Sequence, residues 1–180
     1  MSMIQALQQE LDVEMETTRR VLERVPGDRL SWKPHDKSMS LGQLALHIAT
    51  LPGAIAEMSQ HSPFTMPQFT QPSASTAAEL VPALEESVAN AKRLLGTLDD
   101  AALTKMWRLV DGDREIFAVP VGGLLRSVML NHWYHHRGQL LVYLRMHDVP
   151  LPSVYGPTAD ENPFTAAMSG GMRLLPETAA

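Results

Sequence analysis

Three histidines fall within five residues in the stretch Asn131-His132-Trp133-Tyr134-His135-His136-Arg137-Gly138-Gln139-Leu140, and a fourth, His47, lies in the apolar tract Leu44-Ala45-Leu46-His47-Ile48-Ala49. Imidazole is the commonest neutral ligand for zinc, nickel and similar divalent ions. Residues four apart on an α-helix lie about 40° apart around its axis, so the rings of His132 and His136 can converge on one ion. His135 lies three residues after His132, about 60° to the other side, and on spacing alone either it or His136 can be the second ligand. His47 adds a third ring from a separate segment. Most histidine pairs at this spacing are ordinary polar residues, so the setting has to carry the argument. Val121, Leu125, Val128 and Met129 precede the pair, and Leu140 and Tyr143 follow it. His132 and His136 therefore lie on or near a buried stripe, where each ring nitrogen needs a partner. His35, His61 and His147 fall in or beside presumed loops and read as solvated surface residues. Trp133 and Tyr134 read as packing or interface aromatics, and Arg137 as one half of a surface ion pair.

Four segments have the period needed to position these rings. Ile4, Leu7, Leu11, Met15, Thr18 and Leu22 recur at intervals of three and four, and Pro26-Gly27 ends that run. Ser40 and Gln43 fit a capping box that starts a second helix, with Leu44, His47, Ile48 and Leu51 on one face. Pro52-Gly53 ends or kinks this helix. Residues 61 to 75 hold three prolines and no period, which predicts a crossover loop. Thr76 with Glu79 is a second capping box, opening a helix that carries Leu80, Leu84, Val88, Ala91, Leu94, Leu95 and Leu98. Asp111-Gly112 suits the turn of a small β-hairpin, and Pro120 suits the first turn of a last helix from about Val121 to Met146. The expected fold is all-α: a four-helix bundle with a long crossover loop and a small hairpin before the last helix. Residues 1–165 form its domain, and 166–180 a loosely ordered tail. In such bundles, metal sites form from side chains that project inward off facing helices, which suits His47, His132 and His136.

Composition narrows the function. The chain has 180 residues, enough for one domain with a real core, and 44% hydrophobic against 19% charged residues is globular rather than disordered. A formal net charge of -5 without a dense Lys/Arg run argues against nucleic-acid binding, which requires a basic face to release counterions. No apolar stretch approaches the roughly 20 residues that cross a bilayer, and the acidic, amphipathic start has no signal-peptide pattern, so the expected compartment is the cytoplasm. With no cysteine there is neither a disulfide, nor a Cys-type zinc site, nor a cysteine nucleophile. Any thiol chemistry must bring its thiol in a substrate. No His-Glu-x-x-His motif is present, no Gly-rich phosphate cradle precedes a helix, and Ser127 and Ser153 have no nucleophile-elbow context.

The segment His132 to Leu140 resembles the DinB-like (YfiT-type) family when it is taken with two other stretches. Far upstream stands Ser38-Met39-Ser40-Leu41-Gly42-Gln43-Leu44-Ala45-Leu46-His47-Ile48, and downstream Val149-Pro150-Leu151-Pro152-Ser153-Val154-Tyr155-Gly156-Pro157. The match spans roughly residues 1 to 165, and it is the combination that is specific. The resemblance implies a four-helix bundle that holds a divalent metal, commonly nickel or zinc, through three histidines. Carried over by position these are His47, His132 and His136, with His135 a neighbour. It also implies a homodimer. Relatives of known activity include thiol-dependent S-transferases and isomerases that use bacillithiol, mycothiol or glutathione. The expectation is a metal-dependent S-transferase acting on a small electrophile with an exogenous low-molecular-weight thiol. A metal-dependent hydrolase and a non-catalytic metal-binding stress-response bundle are the alternatives. Three histidine ligands leave at least one coordination position for water or substrate. The motif supplies no adjacent carboxylate base, which attack by a thiolate needs less than attack by water does. Tyr155 and Asp160 in the tail are candidates to reach the site, and no catalytic residue is assigned.

Overall fold

The computed structural model describes residues 1–65 and 70–164. Helix α1 spans Met3–Leu22, α2 Leu41–Met58 and α3 Leu80–Leu95. The last rod begins as α4, Val121–Leu124, continues as a π-helical turn, Leu125–Asn131, and ends as α5, His132–Arg145. Around the bundle α1 packs on α3, α3 on α2, α2 on α5, and α5 back on α1. The helix that carries His47 and the helix that carries His132 and His136 are therefore direct neighbours. No described helix is long and apolar enough to cross a membrane.

Local chemistry starts the helices where the sequence places them. Ser40 Oγ accepts from Gln43 N at 3.1 Å, while Gln43 Oε1 accepts from Ser40 N at 2.9 Å, a complete capping box for α2. Leu41, Leu44 and Ile48 are fully buried along its inner face, each contributing about 1.5–3 kcal/mol of apolar burial. Thr76 and Glu79 also form their box, ahead of a short 3-10 turn, Ala77–Glu79, that leads into α3. From α3, Leu80, Leu84, Val88, Ala91 and Leu95 enter the core.

Pro52 does not end α2. A proline inside a helix removes the N–H that would bond the carbonyl four residues back, here that of Ile48. Trp133 replaces it: its fully buried indole Nε1 donates to Ile48 O at 2.9 Å. The next amide, Gly53 N, donates to Ser87 Oγ of α3 at 2.8 Å. The proline thus ties α2 to both neighbours, and the Trp133 bond lies one residue from His47 on one side and one from His132 on the other.

The hairpin forms as expected, β2 (Met106–Asp111) against β3 (Arg114–Pro120), with Gly112 at a φ of 58° that few other residues adopt. The crossover loop contributes a strand that the sequence reading did not foresee. Phe64–Thr65 forms β1, parallel to β2, with Phe64 opposite Leu109, giving a three-stranded sheet ordered β1-β2-β3. The tail expected over 166–180 lies outside the described residues.

Candidate metal centre

His47 sits one helical turn past Gln43 on α2, and His132 and His136 occupy successive turns of α5. One ligand atom from each of the three rings lies within 4.8 Å of the other two. His132 Nε2 and His136 Nε2 face each other at 2.7 Å, and the centroid of the His47 ring is 5.4 Å from that of His132 and 4.7 Å from that of His136. All three are half-buried. Nitrogens that each lie about 2.0–2.1 Å from a common tetrahedral zinc ion stand about 3.3 Å apart, so three ring nitrogens gathered within 4.8 Å need only small ring rotations to meet one ion. His135 turns outward, exposed, its ring beside that of His136 at 5.1 Å. It does not join the cluster, which groups His47, His132 and His136.

The outer nitrogens decide what the inner ones can do. His136 Nδ1 is 2.7 Å from Gln139 Oε1, an acceptor, which favours the ring proton on Nδ1. The His132 ring donates to the backbone of Val128. That carbonyl is within reach because the amide of His132 bonds Ser127 O and Met129 O instead, in the wider ladder of the π-helical turn. With acceptors at Gln139 Oε1 and the Val128 backbone on the outer side, the tautomers protonated there leave each Nε2 with a lone pair facing the cluster. In those tautomers the 2.7 Å approach of the two nitrogens is relieved by a shared cation or by a proton on one of them. Each imidazole is also held neutral, its pKa lowered first by burial, and the His47 value falls to about 4 under the added influence of His136 and His132. A neutral imidazole is the form that binds metal.

These rings line a pocket of about 230 Å³ together with Met39 and Gln71. A larger groove of about 590 Å³ between α2 and α3, bordered by Thr50, Glu57, Ser87 and Arg93, has none of this chemistry.

Other expectations need correction. Arg137 is not in a surface pair: it is 1% exposed and bonds Glu14, itself 8% exposed, at 2.6 Å. Its guanidinium also donates to Thr18 Oγ1 at 3.0 Å and to the Tyr155 hydroxyl, which in turn donates to Glu14 Oε2 at 3.0 Å. Tyr155 is thus committed to this cluster, and Asp160 pairs with Arg145 and caps Leu151 N, so neither tail residue lines the histidine pocket. His147 is not freely solvated. Its ring lies against Trp32 at 4.3 Å, and its Nε2 is buried without a hydrogen-bond partner among the described residues. Sequence reading missed Gln139, Met39 and Gln71 as neighbours of the site. Gln139 alone carried a signal, since it falls one turn after His136.

A sequence model of the DinB family matches residues 1–163. The chain belongs to the DinB family. A Bacillus subtilis (strain 168) protein named YrdA, itself uncharacterised, is 25% identical over 152 residues, covering 83% of this chain and 86% of YrdA. Two crystal structures share the fold. A DinB-like protein from Bacillus cereus ATCC 10987 is 24% identical with a TM-score of 0.66, over 84% of this chain and 97% of that one. The DinB-like protein YjoA from Bacillus subtilis is 22% identical with a TM-score of 0.60, over 83% and 96%. For this DinB-family protein, these structures speak to the fold and not to the reaction.

Proposed function

We propose that this DinB-family protein is a metal-dependent enzyme of the thiol S-transferase type, with a nickel or zinc ion held by His47, His132 and His136. The observation that carries the reading is the gathering of the three rings, with the Nε2 atoms of His132 and His136 2.7 Å apart and the His47 ring beside them. When bound, the metal supplies a positive charge that stabilises a thiolate at neutral pH. The protein's own share is to keep three neutral imidazoles aimed at one point. Gln139 and the Val128 carbonyl do this by fixing the ring protons of His136 and His132, and the Trp133–Ile48 bond does it by fixing the register of α5 against α2.

The lining of the pocket favours sulfur transfer over hydrolysis. Among the described residues it holds the three histidines, a thioether and a neutral amide, and no carboxylate to draw a proton from water. A thiolate attacks as it stands: its sulfur bonds the electrophilic carbon of, for example, an epoxide as the carbon–oxygen bond opens, and the alkoxide takes a proton from water. The test is metal analysis of untagged protein, followed by turnover assays pairing low-molecular-weight thiols with epoxides. We expect about one equivalent of divalent metal and a turnover lost in His136→Ala. Less than a tenth of an equivalent after reconstitution would sink the reading. Ester hydrolysis without thiol consumption would turn it to a hydrolase.

A further inference from the structure

The part of the histidine pocket that is not imidazole consists of Met39 and Gln71, and the fold holds both in place. Met39 precedes the α2 cap, and its carbonyl accepts from the Tyr143 hydroxyl of α5 at 3.4 Å. Gln71 lies on the crossover loop. Its carbonyl accepts from Gln43 Nε2 at 3.1 Å, so the side chain that closes the α2 capping box also pins the loop one turn above His47. Ala74 N bonds Gly42 O at 3.3 Å close by, and a Cβ at Gly42 would stand 2.7 Å from Ser73 Oγ. The loop therefore packs closely on α2 at Gly42.

The Gln71 side chain, placed this way, is underused. It is half-buried, and among the described residues its one side-chain hydrogen bond runs from Nε2 to Met39 Sδ, at 2.7 Å. A thioether is a weak acceptor, so the amide keeps hydrogen-bonding capacity at the mouth of the pocket. The pocket, of about 230 Å³, has room for a small thiol. We propose that Gln71 is a specificity-determining residue that donates a hydrogen bond from Nε2 to the thiolate sulfur of the substrate, with the Met39 thioether as the soft wall beside it. This rests on the thiol-transferase reading above. Exchanging a neutral thioether acceptor for an anionic sulfur strengthens the bond, so the residue selects for a compact thiolate over a neutral ligand.

The experiment uses the full-length protein loaded with cobalt(II) and titrated with 2-mercaptoethanol, read by the thiolate-to-cobalt charge-transfer absorption. In Gln71→Ala the cobalt content should stay at the wild-type level while the thiol dissociation constant rises about tenfold, the scale of losing one hydrogen bond to a charged group. Gln71→Glu should weaken the thiol further, since a carboxylate repels the thiolate, without lowering cobalt content. Equal thiol affinity in wild type and Gln71→Ala would overturn the proposal, and so would loss of cobalt from Gln71→Ala, which would make Gln71 a metal ligand. Wild-type protein that binds no cobalt, or binds it and gives no thiolate band, overturns the thiol-transferase reading itself, a failure distinct from that of Gln71.

Discussion

Helix α5 carries two polar clusters one residue apart, and they follow opposite rules. Toward α1, Arg137 is buried among partners that satisfy it. Glu14 neutralises its charge, Thr18 and the Tyr155 hydroxyl take its protons, and its guanidinium lies 5.2 Å and 5.1 Å from the ring centroids of Tyr134 and Tyr155. Toward α2, His132 and His136 direct one nitrogen each at the other, 2.7 Å apart, with the His47 ring packed beside them. A buried polar cluster with every group paired is complete and serves the fold. One whose nitrogens face each other around a pocket can be completed by a cation, by water or by a shared proton. Adjacent residues on one helix thus separate a structural tie, which joins α1, α5 and the segment after α5, from the candidate metal site.

The sharpest way to break this contrast is to unpair each cluster in turn. Glu14→Ala leaves the Arg137 charge buried and uncompensated, which costs about 3–5 kcal/mol, a fall in Tm of roughly 6–20 °C. Urea denaturation should show that loss, and the folded fraction should still bind metal at full stoichiometry. Replacing both partners, Glu14→Leu with Arg137→Met, should recover most of the stability. His136→Ala should do the reverse: metal affinity falls by more than about 100-fold, beyond what losing an outer hydrogen-bond partner costs, while apo stability stays within about 0.5 kcal/mol. A Glu14→Ala protein that loses metal in step with stability would merge the two clusters into one.

Acid sharpens the same comparison. The three imidazoles have lowered pKa values in the folded chain, that of His47 about 4, against about 6.5 when unfolded. Between these values the unfolded chain takes up protons that the folded chain does not. Their contribution to apo stability is therefore fully present above about pH 6.5 and drains away as pH falls toward 4. His47→Gln should flatten that slope in denaturation curves measured across this window. An unchanged slope would mean that burial does not hold His47 neutral.

Local chemistry made much of this legible in the sequence. The Ser40–Gln43 capping box and the four-residue spacing of His132 and His136 each act within a few positions, and the structure reproduces both, while the hairpin forms with its two-residue turn at Gly112-Asp113, one position later than expected. Long-range pairing was not legible. Two residues of β1 become a strand only because β2, more than forty positions on, pairs with them. The Arg137–Glu14 tie spans 123 positions, and charge alone made Arg137 look like a surface residue. Periodicity held the missing clue. Glu14 falls between Leu11 and Thr18 on the buried stripe of α1, and Arg137 between Trp133 and Leu140 on that of α5. A charge on the buried stripe of each of two helices is itself a sign of pairing. The π-helical turn, which frees the Val128 carbonyl for His132, has no marker in Leu125 to Asn131 that we can identify.

Between the clusters stands Trp133, and its loss should be smaller than that of Glu14. Trp133→Phe leaves the Ile48 carbonyl without its donor in a buried site, a cost of about 1–3 kcal/mol, with metal affinity also weakened because that bond sets α5 against α2. Stability lost with affinity untouched would show that the histidines hold their geometry without it.

The finest test concerns a single proton. Gln139 Oε1, 2.7 Å from His136 Nδ1, favours the proton there. In Gln139→Leu the proton is free to move to Nε2, where it can be donated to His132 Nε2, and the pair then satisfies itself without a metal. Metal affinity should fall about tenfold, at the low end for an outer-shell partner, with apo stability unchanged or slightly raised. Imidazole nitrogen NMR of the apo protein reads the cause directly, as His136 protonated at Nδ1 in the wild type and at Nε2 in the variant. If both proteins show the same tautomer, the site does not owe its empty lone pairs to Gln139, and the distinction between the two faces of α5 would rest on packing alone.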